Sequence, residues 1–118
     1  MKDSELAVVV RGLGDAMRDA GFNTEMCPDC GSLLAMTRDV KLQVALTSSI
    51  TPKAYVRIKV LGDDDDMRYF FGTRNQLLLG LCRAYERCMN SLDRHEETDM
   101  IANTDFLMSL DTYVRKVW

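Results

Sequence analysis

Two cysteines three residues apart, in Cys27-Pro28-Asp29-Cys30-Gly31, are the side chains of this sequence with the most evident chemistry. A tight turn at that spacing brings both sulfurs toward one point, and the glycine relieves the backbone behind the second. Such a pair can supply half of a tetrahedral zinc site, or pass between dithiol and disulfide. A closed zinc site needs four ligands, and the other candidates are Cys82, Cys88 and His95. On a helix, Cys82 and Cys88 lie about 240° and about 9 Å apart, and Cys88 and His95 about 10 Å apart along the axis. At most one of the three can therefore join Cys27 and Cys30. The expectation is that Cys27 and Cys30 are accessible free thiols in a polar turn, with no cofactor. Zinc held by Cys27 and Cys30 is the alternative.

The segment from Met26 to Leu34, MCPDCGSLL, resembles the knuckle of a zinc ribbon. Over those nine residues the resemblance implies Cys27 and Cys30 as metal ligands; no second knuckle follows. The Cys-Pro-Xaa-Cys pair also resembles the active site of thioredoxin-like proteins, which implies Cys27 as an activated thiolate. Thr51-Pro52 ahead of strand, turn, strand and helix is similar to that family's second half. The 21 residues between Cys30 and Pro52 leave little room for its helix, strand and helix, and no buried strand reads ahead of Cys27.

Catalytic patterns are otherwise missing from the sequence. There is no nucleophile elbow, Walker loop or paired-histidine helix, and Gly12-Leu13-Gly14 lacks the further glycine of a dinucleotide loop. His95, the single histidine, sits in the charged run from Asp93 to Glu97 and reads as solvated. Asp63 to Asp66 lack the spacing of a calcium loop and read as a hairpin tip that keeps a sheet edge from pairing with another chain. A non-enzymatic domain is expected.

A second set of residues points to binding. Lys41, Tyr55, Arg57, Lys59, Arg68 and Phe70 interleave cations with aromatic rings. Strands put them together. Val40, Leu42, Val44 and Leu46 alternate with polar residues, as do Ala54, Val56, Ile58 and Val60, and Met67 to Gly72 continues the pattern. Short turns at Ser48 to Pro52 and Gly62 to Asp66 make these strands an antiparallel meander. With the aliphatic residues facing inward, the period of two places the six cationic and aromatic residues, with Gln43, on the opposite face.

Helices flank the meander. Leu6, Val9, Val10, Leu13, Met17 and Ala20 form one stripe of a helix over 4–20, with Ser4 as its cap and Gly21 as its terminator. Gly12 and Gly14 each weaken it by about 1 kcal/mol relative to alanine. Thr73 caps a helix over 74–92 striped by Leu78, Leu81, Tyr85, Cys88 and Leu92. A last helix over 104–117, capped by Asn103 or Thr104, carries Phe106, Leu107, Leu110, Val114 and Val117. Residues 22–31 read as a loop, and 32–39 fit a helical turn or a strand equally. The expected architecture is a single α+β domain over 1–118. It is an antiparallel meander of three to four strands with three helices, one N-terminal and two C-terminal, on one face.

Composition agrees with a packed domain. The 118 residues are 47% hydrophobic and 28% charged, which excludes a disordered chain. Net charge is −3, but residues 33–85 carry 8 basic and 5 acidic side chains, four of those acids in the aspartate run. No stretch reaches the roughly 20 apolar residues of a membrane span. A cytoplasmic location follows as an expectation, with all four cysteines as thiols or ligands rather than disulfides.

These readings converge on a domain that works by contact: a small adaptor, chaperone or inhibitor, with a nucleic-acid-handling protein as one class of target. A protein partner or self-association is expected, and no membrane. The alternatives are single-stranded nucleic-acid binding on the basic-aromatic face, where bases stack on rings and phosphates meet cations, and zinc or thiol-redox chemistry at Cys27 and Cys30.

Overall fold

Among the described residues, alternation of apolar and polar side chains builds one five-stranded antiparallel sheet, and helical periodicity builds three helices against it. The computed structural model describes residues 2–27, 31–47, 53–60, 67–92 and 99–118. The order is α1 (Lys2–Asp19), β1 (Asn23–Met26), β2 (Leu33–Met36), β3 (Val40–Ala45), β4 (Tyr55–Val60), β5 (Arg68–Phe70), α2 (Arg74–Leu92) and α3 (Met100–Val117). The strands pair in chain order, each antiparallel to the next. The expected α+β class, with one helix before the sheet and two after it, is what the chain adopts.

The sheet has two strands more than the three clean alternations. β2 resolves the ambiguous stretch 32–39 as a strand: Leu33 and Ala35 are buried while Leu34 and Met36 are half-buried on the other side. β1 replaces the loop expected over 22–31. Its Asn-Thr-Glu sequence has little strand preference of its own. Pairing with β2 holds it, and Met26 packs where α1 lacks a side chain at Gly14. The β1–β2 connection closes through Cys27 N–H to the Ser32 carbonyl (3.0 Å) and Gly31 N–H to the Cys27 carbonyl (3.0 Å). Gly31 takes φ +66°, a left-handed conformation that favours glycine.

The core lies between sheet and helices. Val40, Leu42, Val44, Val56, Ile58 and Val60 point inward, with Leu13, Met17, Leu78, Leu81, Phe106 and Leu110 from the helices. α1 lies on β1 and β2, α2 on β4 and β5, and α3 packs chiefly on α1 and α2. Gly21 ends α1 as expected: at φ +93° its N–H bonds the Arg18 carbonyl (2.9 Å), and Phe22 N–H bonds that of Met17 (3.1 Å). Thr73 Oγ1 accepts from Gln76 N–H at 3.2 Å and caps α2. None of the helices is long and apolar enough to cross a membrane, among the described residues.

Two helix starts differ from the sequence reading. α1 begins at Lys2, so Ser4 lies inside it. α3 begins at Met100 with Asp99 as its cap, four residues ahead of the expected start. The reason is tertiary. Asn103, one of the expected caps, is fully buried and donates its amide to Asp39 Oδ2 (3.1 Å), while its Oδ1 accepts from Thr37 Oγ1 (2.8 Å). Occupied in this way, it is carried into the second turn of the helix. The turns expected over 48–52 and 62–66, with the Asp63 to Asp66 run, and the stretch 93–98 with His95, lie outside the described residues.

Candidate functional site: the outer face of the sheet

The strand register assembles all six predicted binding residues on one face. Lys41 stands directly opposite Lys59, and Gln43 opposite Arg57, across β3 and β4. Arg57 is opposite Arg68, and Tyr55 opposite Phe70, across β4 and β5. Because the helices cover the other face, these side chains point away from the core. Lys41, Lys59, Arg68 and Phe70 are exposed, and Tyr55 and Arg57 are half-buried. Directly opposed side chains sit about 5 Å apart at Cβ, so two like-charged pairs stand side by side on this surface.

The rings and cations touch. Tyr55 and Phe70 meet edge to face, with centroids 6.2 Å apart and planes at 71°. The Arg68 guanidinium lies 5.2 Å from the Tyr55 ring centre. Lys53 Nζ lies 5.8 Å from that of Phe70. Both distances are within cation–π range. Phe70 nevertheless keeps 59% of its surface open, unusual for a ring already in contact with another. Lys53 escaped the sequence reading because it precedes its strand; only the ring contact reveals its part.

Two hollows open beside these residues. One, of about 380 Å³, is lined by Thr47, Lys53, Phe70, Phe71 and Gln76. The other, of about 260 Å³, lies at the β2–β3 turn among Thr37, Arg38, Lys41 and Lys59. Register continues the face toward β1 through Leu34 and Met36 to Glu25 and Asn23, none of which the sequence reading had assigned to it. Glu25 is the one acidic side chain among the described strand residues of this face, against Lys41, Arg57, Lys59 and Arg68.

The cysteine pair is altered by a correction. Cys27 is disulfide-bonded, so the expectation of a free thiol fails there. A sulfur in that state is not the thiolate that binds zinc; Cys30 lies outside the described residues. Neither Cys82 nor Cys88 is in a disulfide. Cys88 is fully buried, as its place on the α2 stripe predicts, and Cys82 is half-buried. Burial, followed by the nearby Asp111 and Glu86 charges, pushes the Cys82 thiol above its usual range. No group of three or more His, Cys, Asp or Glu side chains is placed to hold a metal, among the described residues. Comparison of the chain with protein-family models, with curated proteins and with solved structures returns no match, which leaves the geometry of this face to carry the functional reading.

Proposed function

We propose that this domain is a non-catalytic binding module, an adaptor, chaperone or inhibitor that docks an acidic surface of a protein partner on its outer sheet face. One observation carries the reading. The like-charged neighbours Lys41–Lys59 and Arg57–Arg68 flank a ring pair, half-buried Tyr55 and exposed Phe70. Directly opposed like charges cost a sheet stability. A partner presenting carboxylates would turn that cost into attraction and steer its own approach. Arginine and tyrosine are also the residues on which interface energy concentrates. The reading places the domain in the cytoplasm, in a form whose Cys27 disulfide opens under reducing conditions.

The test is affinity purification of the full chain from native lysate, with and without nuclease, beside the Arg57→Glu/Lys59→Glu variant. The expected result is a partner protein at near-equal stoichiometry, unaffected by nuclease and lost in the variant. Recovery of nuclease-sensitive nucleic acid instead, with affinity for single strands that falls steeply with salt and is lost in Tyr55→Ala/Phe70→Ala, overturns it.

A further inference from the structure

On the helical side, away from the basic sheet face, α1 and α3 leave a groove of about 850 Å³. Small residues make it. Gly12 and Ala16 lie four apart on one face of α1, Ala20 follows just past its end, and Ser109 and Thr112 line it from α3. Tyr113 lines the groove but is committed elsewhere: its hydroxyl donates to the Val9 carbonyl at 2.6 Å, over the bare Cα of Gly12. The Phe22 ring, edge-on to Phe106 at 5.1 Å, belongs to the far end of the same groove.

The rim is acidic. Asp15 and Asp19 from α1 and Asp105 from α3 line it, with Lys116 the one cation lining it among the described residues. Asp15 has a loose exposed pair with Arg18 at 3.9 Å. Met108, also lining the groove, leaves 59% of its surface open. From Gly12 to Asp19 the α1 wall runs about 10 Å, and from Asp105 to Val117 the α3 wall runs about 18 Å. Those lengths match about two to three turns of a third helix.

We propose that this groove receives an amphipathic helix of a partner protein, apolar on the side that enters and lysine- or arginine-bearing along its flanks. Charge complementarity selects that occupant. Three aspartates repel a nucleic acid backbone and an anionic lipid surface. A second copy is a poor fit because this chain's own basic cluster lies on a flat sheet face, not on a helix that could lie between two others. A helix laid between two helices packs ridges into grooves in the ordinary way. This surface is separate from the sheet face, so the two proposals stand or fall independently.

The probe is a fluorescein-labelled leucine–lysine peptide of about four helical turns, with leucines at three- and four-residue spacing. Its anisotropy is followed with the full chain, beside a control peptide with glutamate at every lysine. Binding of the lysine peptide and none of the glutamate peptide is expected. Asp15→Lys/Asp19→Lys/Asp105→Lys, all at exposed positions, should weaken it roughly tenfold or more. Ser109→Trp should block it by filling the groove. Arg57→Glu/Lys59→Glu should leave it unchanged, and amide NMR shifts should map to α1 and α3. Equal binding of the two peptides, no binding at millimolar concentration, or a loss that follows the sheet-face variant overturns the proposal.

Discussion

Asp39 is buried in a turn, with 4% of its surface exposed, yet keeps its charge. Its carboxylate accepts from Asp99 N–H at 2.8 Å and from the Asn103 amide at 3.1 Å, and it meets Arg38 Nε at 3.4 Å. The Asp99 backbone bond is the main influence holding its pKa below the usual 3.8; burial opposes it, and Asn103 and Arg38 add to the lowering. A depressed folded value means that the stabilisation is complete above the unfolded pKa and disappears as pH falls through the lower folded one. Asp39→Ala should therefore cost about 1–3 kcal/mol at neutral pH, with the buried Asn103 amide N–H losing its acceptor. Urea midpoints measured from neutral pH to below pH 3.8 should converge for the two proteins at the acid end. The cysteines give a second prediction at this scale. Without reductant, iodoacetamide at mildly alkaline pH should modify Cys82 slowly, because its raised pKa leaves little thiolate, and Cys88 only on unfolding. Cys27 should react only after reduction. Mass mapping of the alkylated sites checks all three.

Among the elements, α1 shows how a local weakness becomes a packing device. Gly12 and Gly14 lower its helix preference, but a Cβ at Gly12 would lie 2.6 Å from the Tyr113 hydroxyl, and one at Gly14 would run into Met26. Gly12→Ala should therefore destabilise by about 1–2 kcal/mol, despite a gain of about 1 kcal/mol in helix propensity. Tyr113→Phe removes the hydroxyl, so the same substitution in that background should cost much less. A double-mutant cycle of urea midpoints reads this coupling. The β1–β2 turn makes a parallel case: Gly31→Ala meets both the positive φ and Leu46 Cδ1 at 2.8 Å, and a loss of about 1–2 kcal/mol is expected. The α2 and α3 ends are tied as well, since the Arg74 guanidinium donates to the Val117 carbonyl, one of those a helix end leaves unpaired.

At the scale of the molecule, charge is separated by layer. The outer sheet face gathers cations, and the α1–α3 side gathers aspartates, within a chain of net charge −3. A symmetric dimer joined through the sheet faces would set cations against cations, so a different partner suits that face better than a second copy. The separation implies a trade between stability and binding. Lys59→Glu converts the Lys41–Lys59 pair into an attraction and should raise the stability of the isolated domain by about 0.2–1 kcal/mol. The same change should weaken the proposed partner complex and reduce its salt dependence. Thermal melts of the free domain and titrations of the complex at two salt concentrations check the two halves.

What the sequence by itself determined follows from short-range periodicity. The alternation over 40–47 and 54–61 decides which side chains point outward, so Lys41, Arg57 and Lys59 were legible before any coordinates, as were α2 and the Gly21 terminator. The cation–aromatic cluster was half legible: the outward period was evident at Tyr55 and Phe70, but the approach of Lys53 and Arg68 to the rings depends on strand register. Tertiary structure alone decided the rest. β1 exists because β2 and α1 offer it hydrogen bonds and a gap for Met26, not because Asn-Thr-Glu favours a strand. α3 begins at Met100 because Asp39 and Thr37, more than 60 residues away in sequence, claim Asn103. The acidic groove has no local signature either. Its three aspartates lie on two helices that are far apart in the chain, and only the close approach allowed by Gly12 and fastened by Tyr113 brings them to one rim. Local patterns encode direction within an element; proximity between elements is settled by packing, which no single segment contains.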